Sequence, residues 1–386
     1  MTRAFLVVLL GALAGCASTS LSEVTGSVAS GGGLFASAPQ APALRVPIFV
    51  ASTRRGERGA ASDLVSDGAA HFSLISVSLP PGHKPGEIER PTFGDPNPGR
   101  DFTLASRRGL DAEAFGGEVS THISGRVGSN RDVLLYVHGF RTSLEEARFR
   151  LAQIVADGRF GGVPVLFTWP SQNDLFAYGA DKEQATASRD ALEKLMLTLA
   201  HAEGVGRVHI LAHSMGAWLT MEALRENAIA GHADLDGKLG DVMLAAPDID
   251  LTVFRQQMAR LGEAAHVSVF VSSTDRALSL SGRLTGDRQR VGAMDPNNPR
   301  DKAALAALNV RVYDLSHETS GFINHGAYAN APSVIRSIGA QLATPRAGDS
   351  NTQAVLDAGI EKAEPVPAAP IGVGVVEATP LPEASQ

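Results

Sequence analysis

The stretch HILAHSMG, residues 209–216, ends a short apolar run with a serine between small residues. Ser214 has Ala212 two positions before it and Gly216 two positions after it. A nucleophile elbow needs small neighbours, because a serine on a sharp strand-to-helix turn leaves little room around it. The usual pattern is G-x-S-x-G, from which Ala212 departs by one methyl group. We predict that Ser214 is a nucleophile; the alternative is a structural serine between a strand and a helix.

A serine nucleophile needs an acid and a base, and the chain order expected after such an elbow is serine, acid, histidine. The downstream acids are Asp248 and Asp250 in AAPDID, and Asp275 in VSSTDRAL. We favour Asp275, because it follows the next predicted strand, which is where the acid most often sits. Asp248 remains an alternative, and both Asp248 and Asp250 have a structural interpretation as caps of the helix that follows.

Two histidines after the last predicted strand are candidates for the base. His325 lies in INHGAYA, on a loop before the final predicted helix, and His317 lies very close to the strand end. We favour His325 and keep His317 as the alternative. In this arrangement His325 accepts the Ser214 proton, while Asp275 orients its imidazole and stabilises the imidazolium.

Backbone N–H groups are expected to stabilise the negative charge that develops on the substrate. The helix after the elbow directs its N-terminal N–H groups toward such a charge, which makes the Met215 N–H one predicted donor. The second is the N–H of Phe140 in the segment VHGF, with Arg141 as the alternative, because Gly139 lets the backbone approach a ligand closely. We interpret His138 as a histidine that braces this loop, in preference to a catalytic base.

All these residues follow apolar runs that have the length and composition of strands. The alternation of strand-like and helix-like segments predicts an α/β fold with a mostly parallel, doubly wound sheet and helices on both faces. Ligands in such folds bind beyond the carboxyl ends of the strands. The predicted strands are residues 45–52, 71–80, 132–140, 163–170, 208–214, 241–250, 266–275 and 309–316. Helices are predicted from Ser143 onward, over about residues 181–203, over residues 215–227, after residue 250, and over about residues 332–342.

The first residues, MTRAFLVVLLGALAGC, join a basic residue to a short apolar stretch, as export signals do. LAGC resembles the lipobox of bacterial lipoproteins, which implies that Cys16 is acylated and anchors the protein in a membrane. By the same resemblance, Ala17 after the cysteine implies the outer membrane, with the protein facing the periplasm. We predict a signal peptide (1–15), a flexible tether (16–43), a folded domain (44–342) and a disordered Ala/Pro-rich tail (343–386).

The composition narrows the class of protein. With 386 residues, of which 44% are hydrophobic, the chain can bury a sizeable core. A formal net charge of -7 gives no electrostatic reason to expect nucleic acid as a partner. The sequence has no H-E-x-x-H motif, no P-loop and no glycine-rich dinucleotide fingerprint, so we predict neither a metal nor a cofactor.

Several blocks resemble, in the same order, the alpha/beta-hydrolase family known as domain of unknown function nine hundred. The resemblance covers about residues 46–340 and implies an alpha/beta-hydrolase fold, esterase- or lipase-like activity, and the triad Ser214, Asp275 and His325. It supplies no substrate. The blocks are LLYVHGFRTSLEEARFRLAQI, GGVPVLFTWPS, SRDALEKL, VHILAHSMG, AAPDIDLTVF and VSSTDRALSLS.

We therefore predict a membrane-anchored serine hydrolase that acts on acyl esters through an acyl-enzyme. Residues 276–308, and the loop 170–181 with Phe176 and Tyr178, are candidates for the walls of an acyl pocket. Two alternatives remain open. One is a hydrolase-like scaffold that binds an envelope polymer or a partner protein without turnover, and the other is an acyltransferase.

Overall fold

Apolar runs in the middle of the sequence form strands that are buried on both faces, as expected for a parallel sheet covered by helices. The computed structural model describes residues 43–55, 66–172, 174, 177–318, 325–343 and 375–376. Its strands are β1 (Leu44–Arg54), β2 (Ser66–Leu79), β3 (Thr103–Leu110), β4 (Val133–Val137), β5 (Val163–Thr168), β6 (Val208–His213), β7 (Leu239–Ala245), β8 (His266–Val271), β9 (Arg311–Asp314) and β10 (Val375–Val376).

Within the described residues these strands form one sheet in the order β10-β9-β8-β7-β6-β4-β5-β1-β2-β3. In this order, the six neighbouring pairs from β9 to β1 are parallel: β9-β8, β8-β7, β7-β6, β6-β4, β4-β5 and β5-β1. The carboxyl ends of these seven strands therefore lie along one edge of the sheet. β2 pairs antiparallel with both β1 and β3, and β10 pairs antiparallel with β9. The predicted fold class, an α/β fold with a mostly parallel sheet, is confirmed.

Helices cover both faces of the sheet and bury a separate apolar core on each. The helices are α1 (Ala112–Ile123), α2 (Leu144–Asp157), α3 (Tyr178–Ala187), α4 (Arg189–His201), α5 (Met215–Ala230), α6 (Leu251–Leu261), α7 (Arg276–Leu284), α8 (Pro299–Ala306), α9 (Ala327–Asn330) and α10 (Pro332–Ala343). One core includes residues of α1, α4, α5, α6 and α8, and the other includes residues of α2, α9 and α10.

The prediction of one long helix over residues 181–203 is wrong. The structure has two helices there, α3 and α4, separated at Ser188. The Ser188 hydroxyl donates a hydrogen bond to the Gln184 carbonyl oxygen (2.8 Å) and lies 2.8 Å from the Thr53 hydroxyl oxygen. A serine hydroxyl that bonds the preceding turn bends helices, and the contact to β1 fixes the break.

Several predicted strands extend too far at their carboxyl ends. The predicted strands 132–140, 241–250 and 266–275 correspond to β4, β7 and β8, which end at Val137, Ala245 and Val271. The chain leaves β7 at Ala246, whose φ of 45° is incompatible with a strand. The candidate catalytic residues therefore lie on loops beyond the strand ends.

The predictions for both ends of the chain fall largely outside the described residues. This holds for the leader, for Cys16, for the tether up to residue 42 and for the tail apart from its first residue and Val375–Val376. Among the residues that the structure describes, no helix has the length and apolar character that crossing a membrane requires.

Candidate active site

Ser214 occupies a sharp turn between β6 and α5, with φ 54° and ψ −122°. A residue other than glycine in such a conformation costs on the order of 1–3 kcal/mol and persists only where its surroundings hold it. Here the Ser214 N–H donates to the carbonyl oxygen of Ala245 in β7 (2.9 Å), and the Ser214 carbonyl accepts from Asp248 N–H (3.2 Å). The strained turn is thus fixed by the neighbouring strand and the loop that follows it.

The small residues around Ser214 are needed for packing. A β-carbon at position 216 would overlap the carbonyl oxygen of His138 and lie 2.8 Å from that of Val137. Gly216 therefore lets the first turn of α5 pack directly against the end of β4. Ala212 is fully buried in β6, so its methyl group is accommodated there. Ala212 thus fits the elbow although it departs from the G-x-S-x-G pattern.

Replacing Gly216 with alanine is expected to lower the free energy of unfolding by about 3 kcal/mol, because the β-carbon meets rigid backbone atoms. The matched control is Gly117→Ala in α1, where an added β-carbon meets no atom within 4 Å. That substitution should raise the free energy of unfolding by about 0.5–1 kcal/mol. Urea denaturation of both variants measures the difference; equal effects would contradict the close packing at Gly216.

The loop that follows β4 lies against the elbow. A β-carbon at Gly139 would come within 2.9 Å of the Ser214 β-carbon and 2.8 Å of His213 Nδ1. Among the described residues, no hydrogen-bond acceptor faces the backbone N–H of Phe140 or that of Met215, the first residue of α5. Two unengaged donors therefore lie on the two segments that meet at Ser214.

His138 is fully buried and held on both ring nitrogens. Its Nδ1 lies 2.9 Å from the Gly139 carbonyl oxygen, and its Nε2 lies 3.0 Å from Thr168 Oγ1. The ring stacks on Trp169 with 5.2 Å between centroids. Burial, together with the positive charge of Arg54, lowers the pKa of His138 to about 3. A neutral histidine with both nitrogens engaged agrees with the bracing role that the sequence predicts.

Asp275 and His325 are hydrogen-bonded to each other at the same edge of the sheet. His325 Nδ1 lies 2.6 Å from Asp275 Oδ2, while Asp275 Oδ1 accepts from the Leu278 N–H and caps α7. The Asp275 side chain is fully buried, and that of His325 is 20% exposed. Because Nδ1 is bound to the carboxylate, Nε2 is the nitrogen of His325 that can exchange a proton.

A contact that the sequence analysis missed joins the loop of His325 to the elbow. His213, the residue before Ser214, donates a hydrogen bond from Nε2 to the His325 carbonyl oxygen (3.0 Å), and the two rings lie 4.6 Å apart. His213 also stacks on Tyr328, whose hydroxyl forms a hydrogen bond with that of Tyr136 (2.9 Å). Burial and the nearby His325 hold the pKa of His213 well below its usual value, so it stays neutral. The only sequence signal was its place inside the pentapeptide.

The alternative acids and base are used differently. Asp248 forms a buried ion pair with Arg290 (3.2 Å to Nε) and accepts a hydrogen bond from the Tyr178 hydroxyl (2.9 Å). Asp250 caps α6, as its structural interpretation predicts, although Asp248 does not. His317 is exposed on the turn after β9. The structure therefore pairs His325 with Asp275, whereas the alternative acids and the alternative base have other partners or lie exposed.

Both predicted wall segments of the site are at least partly described. The Tyr178 ring, at the start of α3, meets the Phe140 ring edge to face with 5.6 Å between centroids. Its hydroxyl lies 3.2 Å from that of Ser281 in α7, so both predicted wall segments meet here. Burial and the Asp248 carboxylate raise the pKa of Tyr178 to about 12, which keeps it a hydrogen-bond donor. Phe176 lies outside the described residues.

Nothing in the described part of the chain groups three or more histidine, cysteine, aspartate or glutamate side chains in a way that could hold a metal ion.

Comparison with known families identifies the class of this protein. A family model described as alpha/beta hydrolase of unknown function (DUF900) matches residues 112–346. The chain belongs to this alpha/beta-hydrolase family. The family match begins at α1, so it leaves out β1, β2 and β3, which the resemblance had included from residue 46.

Solved structures similar to this alpha/beta hydrolase include esterases. A hyperthermophilic esterase from the archaeon Pyrobaculum calidifontis matches with 13% identity and a TM-score of 0.37, covering 77% of this chain and 85% of its own. A monoclinic crystal form of the Pyrobaculum calidifontis esterase matches with 13% identity and a TM-score of 0.36, and it covers the same shares of the two chains. A protein described as a predicted CIB-like hydrolase, from Thermoplasma acidophilum, matches with 14% identity and a TM-score of 0.33, covering 56% of this chain and 89% of its own. The comparison with curated proteins gave no match.

Proposed function

We propose that this alpha/beta hydrolase is a serine hydrolase that cleaves acyl esters. Ser214 is the nucleophile, His325 the base, and Asp275 the carboxylate that orients His325. The observation that carries the proposal is the 2.6 Å hydrogen bond between His325 Nδ1 and Asp275 Oδ2, at the sheet edge where Ser214 occupies a strained turn. Nucleophilic catalysis by serine needs these three groups in these roles.

The proposed reaction has two steps. In the first, Ser214 Oγ attacks the ester carbonyl carbon while His325 Nε2 takes its proton, and the same proton then goes to the departing alcohol. The N–H groups of Met215 and Phe140 stabilise the oxyanion of the tetrahedral intermediate. In the second step water, deprotonated by His325, attacks the acyl-enzyme and releases the acid, which restores the Ser214 hydroxyl.

The arrangement favours an enzyme over a binding scaffold. A scaffold without turnover has no need of a buried carboxylate bound to a partly exposed histidine, or of a serine held at a φ of 54°. Acyl transfer shares the same acyl-enzyme and differs only in the second nucleophile, an alcohol in place of water. The apolar rings of Phe140 and Tyr178 beside the elbow suit an acyl group.

We also propose that acylation of Cys16 anchors the protein in the outer membrane, facing the periplasm. This rests on the lipobox-like LAGC and on the residue that follows it. Metabolic labelling with a fatty-acid probe, in cells that make the wild type or Cys16→Ser, tests the attachment.

The test of the catalytic proposal is covalent labelling of the full-length protein with a fluorophosphonate, which reacts with activated serines. We expect about one label per molecule, located at Ser214 by peptide mass spectrometry, and no label after heat denaturation. Hydrolysis of soluble p-nitrophenyl esters should occur in the same sample. Folded protein that neither takes up the label nor turns over esters would overturn the proposal.

A further inference from the structure

A cavity of about 380 Å³ lies at the edge of the sheet opposite to Ser214. It is formed by the first residues of β1, the turn before β5, and the C-terminal ends of α1 and α2. Its walls combine apolar and cationic side chains. The apolar part includes Phe49, Val155 and Phe160, and the cationic part consists of Arg45, Arg126 and Arg159.

The three arginines carry positive charge that the described residues do not neutralise. Arg45 and Arg159 are exposed, and Arg126 is half-buried and donates to the Gly161 carbonyl oxygen (2.7 Å). Within the described part of the chain, none of the three forms an ion pair with a carboxylate. Guanidinium groups bind phosphate oxygens well, because their planar N–H donors match phosphate geometry. The cavity therefore favours an anionic ligand that also has an apolar part.

Exposed apolar side chains flank the same cavity. Leu44, beside Arg45, is 53% exposed, and Val127, beside Arg126, is 73% exposed. Isolated exposed apolar residues are ordinary, but here they adjoin unpaired cations. Apolar burial combined with attraction to anionic lipids is what holds proteins at membrane interfaces.

The cavity lies close in the sequence to the proposed anchor, if Cys16 is acylated as proposed above. β1 begins at Leu44, inside the cavity wall, and 27 residues (17–43) separate it from Cys16. Even at full extension, 27 residues span at most about 95 Å. The anchor thus raises the local concentration of lipid headgroups at this edge, so that even weak contacts are occupied.

We propose that this cavity binds the headgroup phosphate of an anionic phospholipid and docks the domain on the bilayer. The three arginines bind the phosphate, the apolar wall contacts the glycerol and the first part of an acyl chain, and Leu44 and Val127 enter the interface. The amino ends of the parallel strands then face the bilayer. Ser214, at the carboxyl ends, is directed away from it.

The test uses the full-length chain with Cys16→Ala, so that no acyl anchor is present. Flotation measures its binding to phosphatidylcholine vesicles with and without one quarter phosphatidylglycerol, at low salt. We expect phosphatidylglycerol to strengthen binding. Adding Arg45→Gln, Arg126→Gln and Arg159→Gln should remove the increase in affinity that phosphatidylglycerol gives. That increase is on the order of 100-fold for three basic residues near an anionic surface. The N-terminal segment is common to all samples and cancels in the comparison.

A second triple variant, Arg100→Gln, Arg255→Gln and Arg260→Gln, removes the same charge from exposed positions outside the cavity and should keep most of the gain in binding that phosphatidylglycerol gives. Equal losses in the two triple variants would overturn the proposal, as would binding that ignores phosphatidylglycerol. A lower melting temperature with unchanged vesicle binding would also overturn it, because the cavity arginines would then only stabilise the C-terminal ends of α1 and α2. Turnover of a soluble ester and fluorophosphonate labelling, measured on the same variants, report on the catalytic proposal separately.

Discussion

Replacing Ser214 with alanine should lower kcat/KM for a soluble ester by about 10⁴- to 10⁶-fold and abolish fluorophosphonate labelling. The substitution removes the attacking oxygen and leaves His325 and Asp275 in place. The backbone at residue 214 keeps its conformation, since alanine and serine have the same restrictions at a φ of 54°. The melting temperature should therefore change little, so the loss of activity cannot be due to a loss of stability.

The control for this variant is Ser273→Ala. Ser273 is an exposed serine on the loop after β8, at the same edge of the sheet, and its hydroxyl bonds Ser316. We expect its labelling and turnover to match the wild type. If Ser214→Ala kept most of its turnover, another residue would have to be the nucleophile.

Replacing Asp275 with asparagine should lower kcat by about 10³- to 10⁴-fold, as expected for the carboxylate of a serine triad. The carboxylate accepts a hydrogen bond from His325 Nδ1, which leaves Nε2 free to take a proton. An asparagine amide can instead donate to Nδ1, and the ring then carries its proton on Nε2, where it cannot act as a base. Asparagine also caps helices as well as aspartate does, so α7 and the melting temperature should be preserved.

Asp248→Asn is the matched control, because Asp248 is the other acid that the sequence offers. It should lower the free energy of unfolding by about 3–5 kcal/mol, since it removes the partner of the buried Arg290. Its effect on kcat should be much smaller than that of Asp275→Asn. Stopped-assay kinetics and thermal unfolding of both variants give the comparison. The opposite pattern, in which Asp248→Asn impairs kcat the more, would reassign the acid.

The centre of this fold was predictable because local sequence determines it. Buried parallel strands are continuous apolar runs, and small neighbours at i−2 and i+2 allow a serine to occupy the tight turn of an elbow, so β6, Ser214 and the start of α5 could be located from one octapeptide. The strands β4, β5, β7 and β8 followed from the same kind of run. Their ends were less predictable, because apolar residues such as Phe140, Ala246 and Ile249 continue the pattern after the hydrogen-bonded pairing has stopped.

The remaining features depend on contacts between distant parts of the chain. The bond from His213 to the His325 carbonyl joins residues 112 positions apart, and no spacing rule predicts it. β3 is an edge strand that is exposed along most of its length, so it lacks the apolar pattern that would have identified it. α7 is a short helix whose start depends on the cap by Asp275, a residue that the sequence predicts only as the triad acid. Its side chain both caps α7 and accepts the hydrogen bond from His325.

Two neutral histidines simplify the proton chemistry of this sheet edge. His213 lies 4.6 Å from His325, and a positive charge on it would oppose formation of the imidazolium during catalysis. Burial prevents that, because it holds the pKa of His213 well below the usual value, as it does for His138. His325 can therefore become cationic without a like charge beside it. In the proposed mechanism, His213 and His138 therefore add no proton uptake of their own to the fall of kcat/KM toward acid.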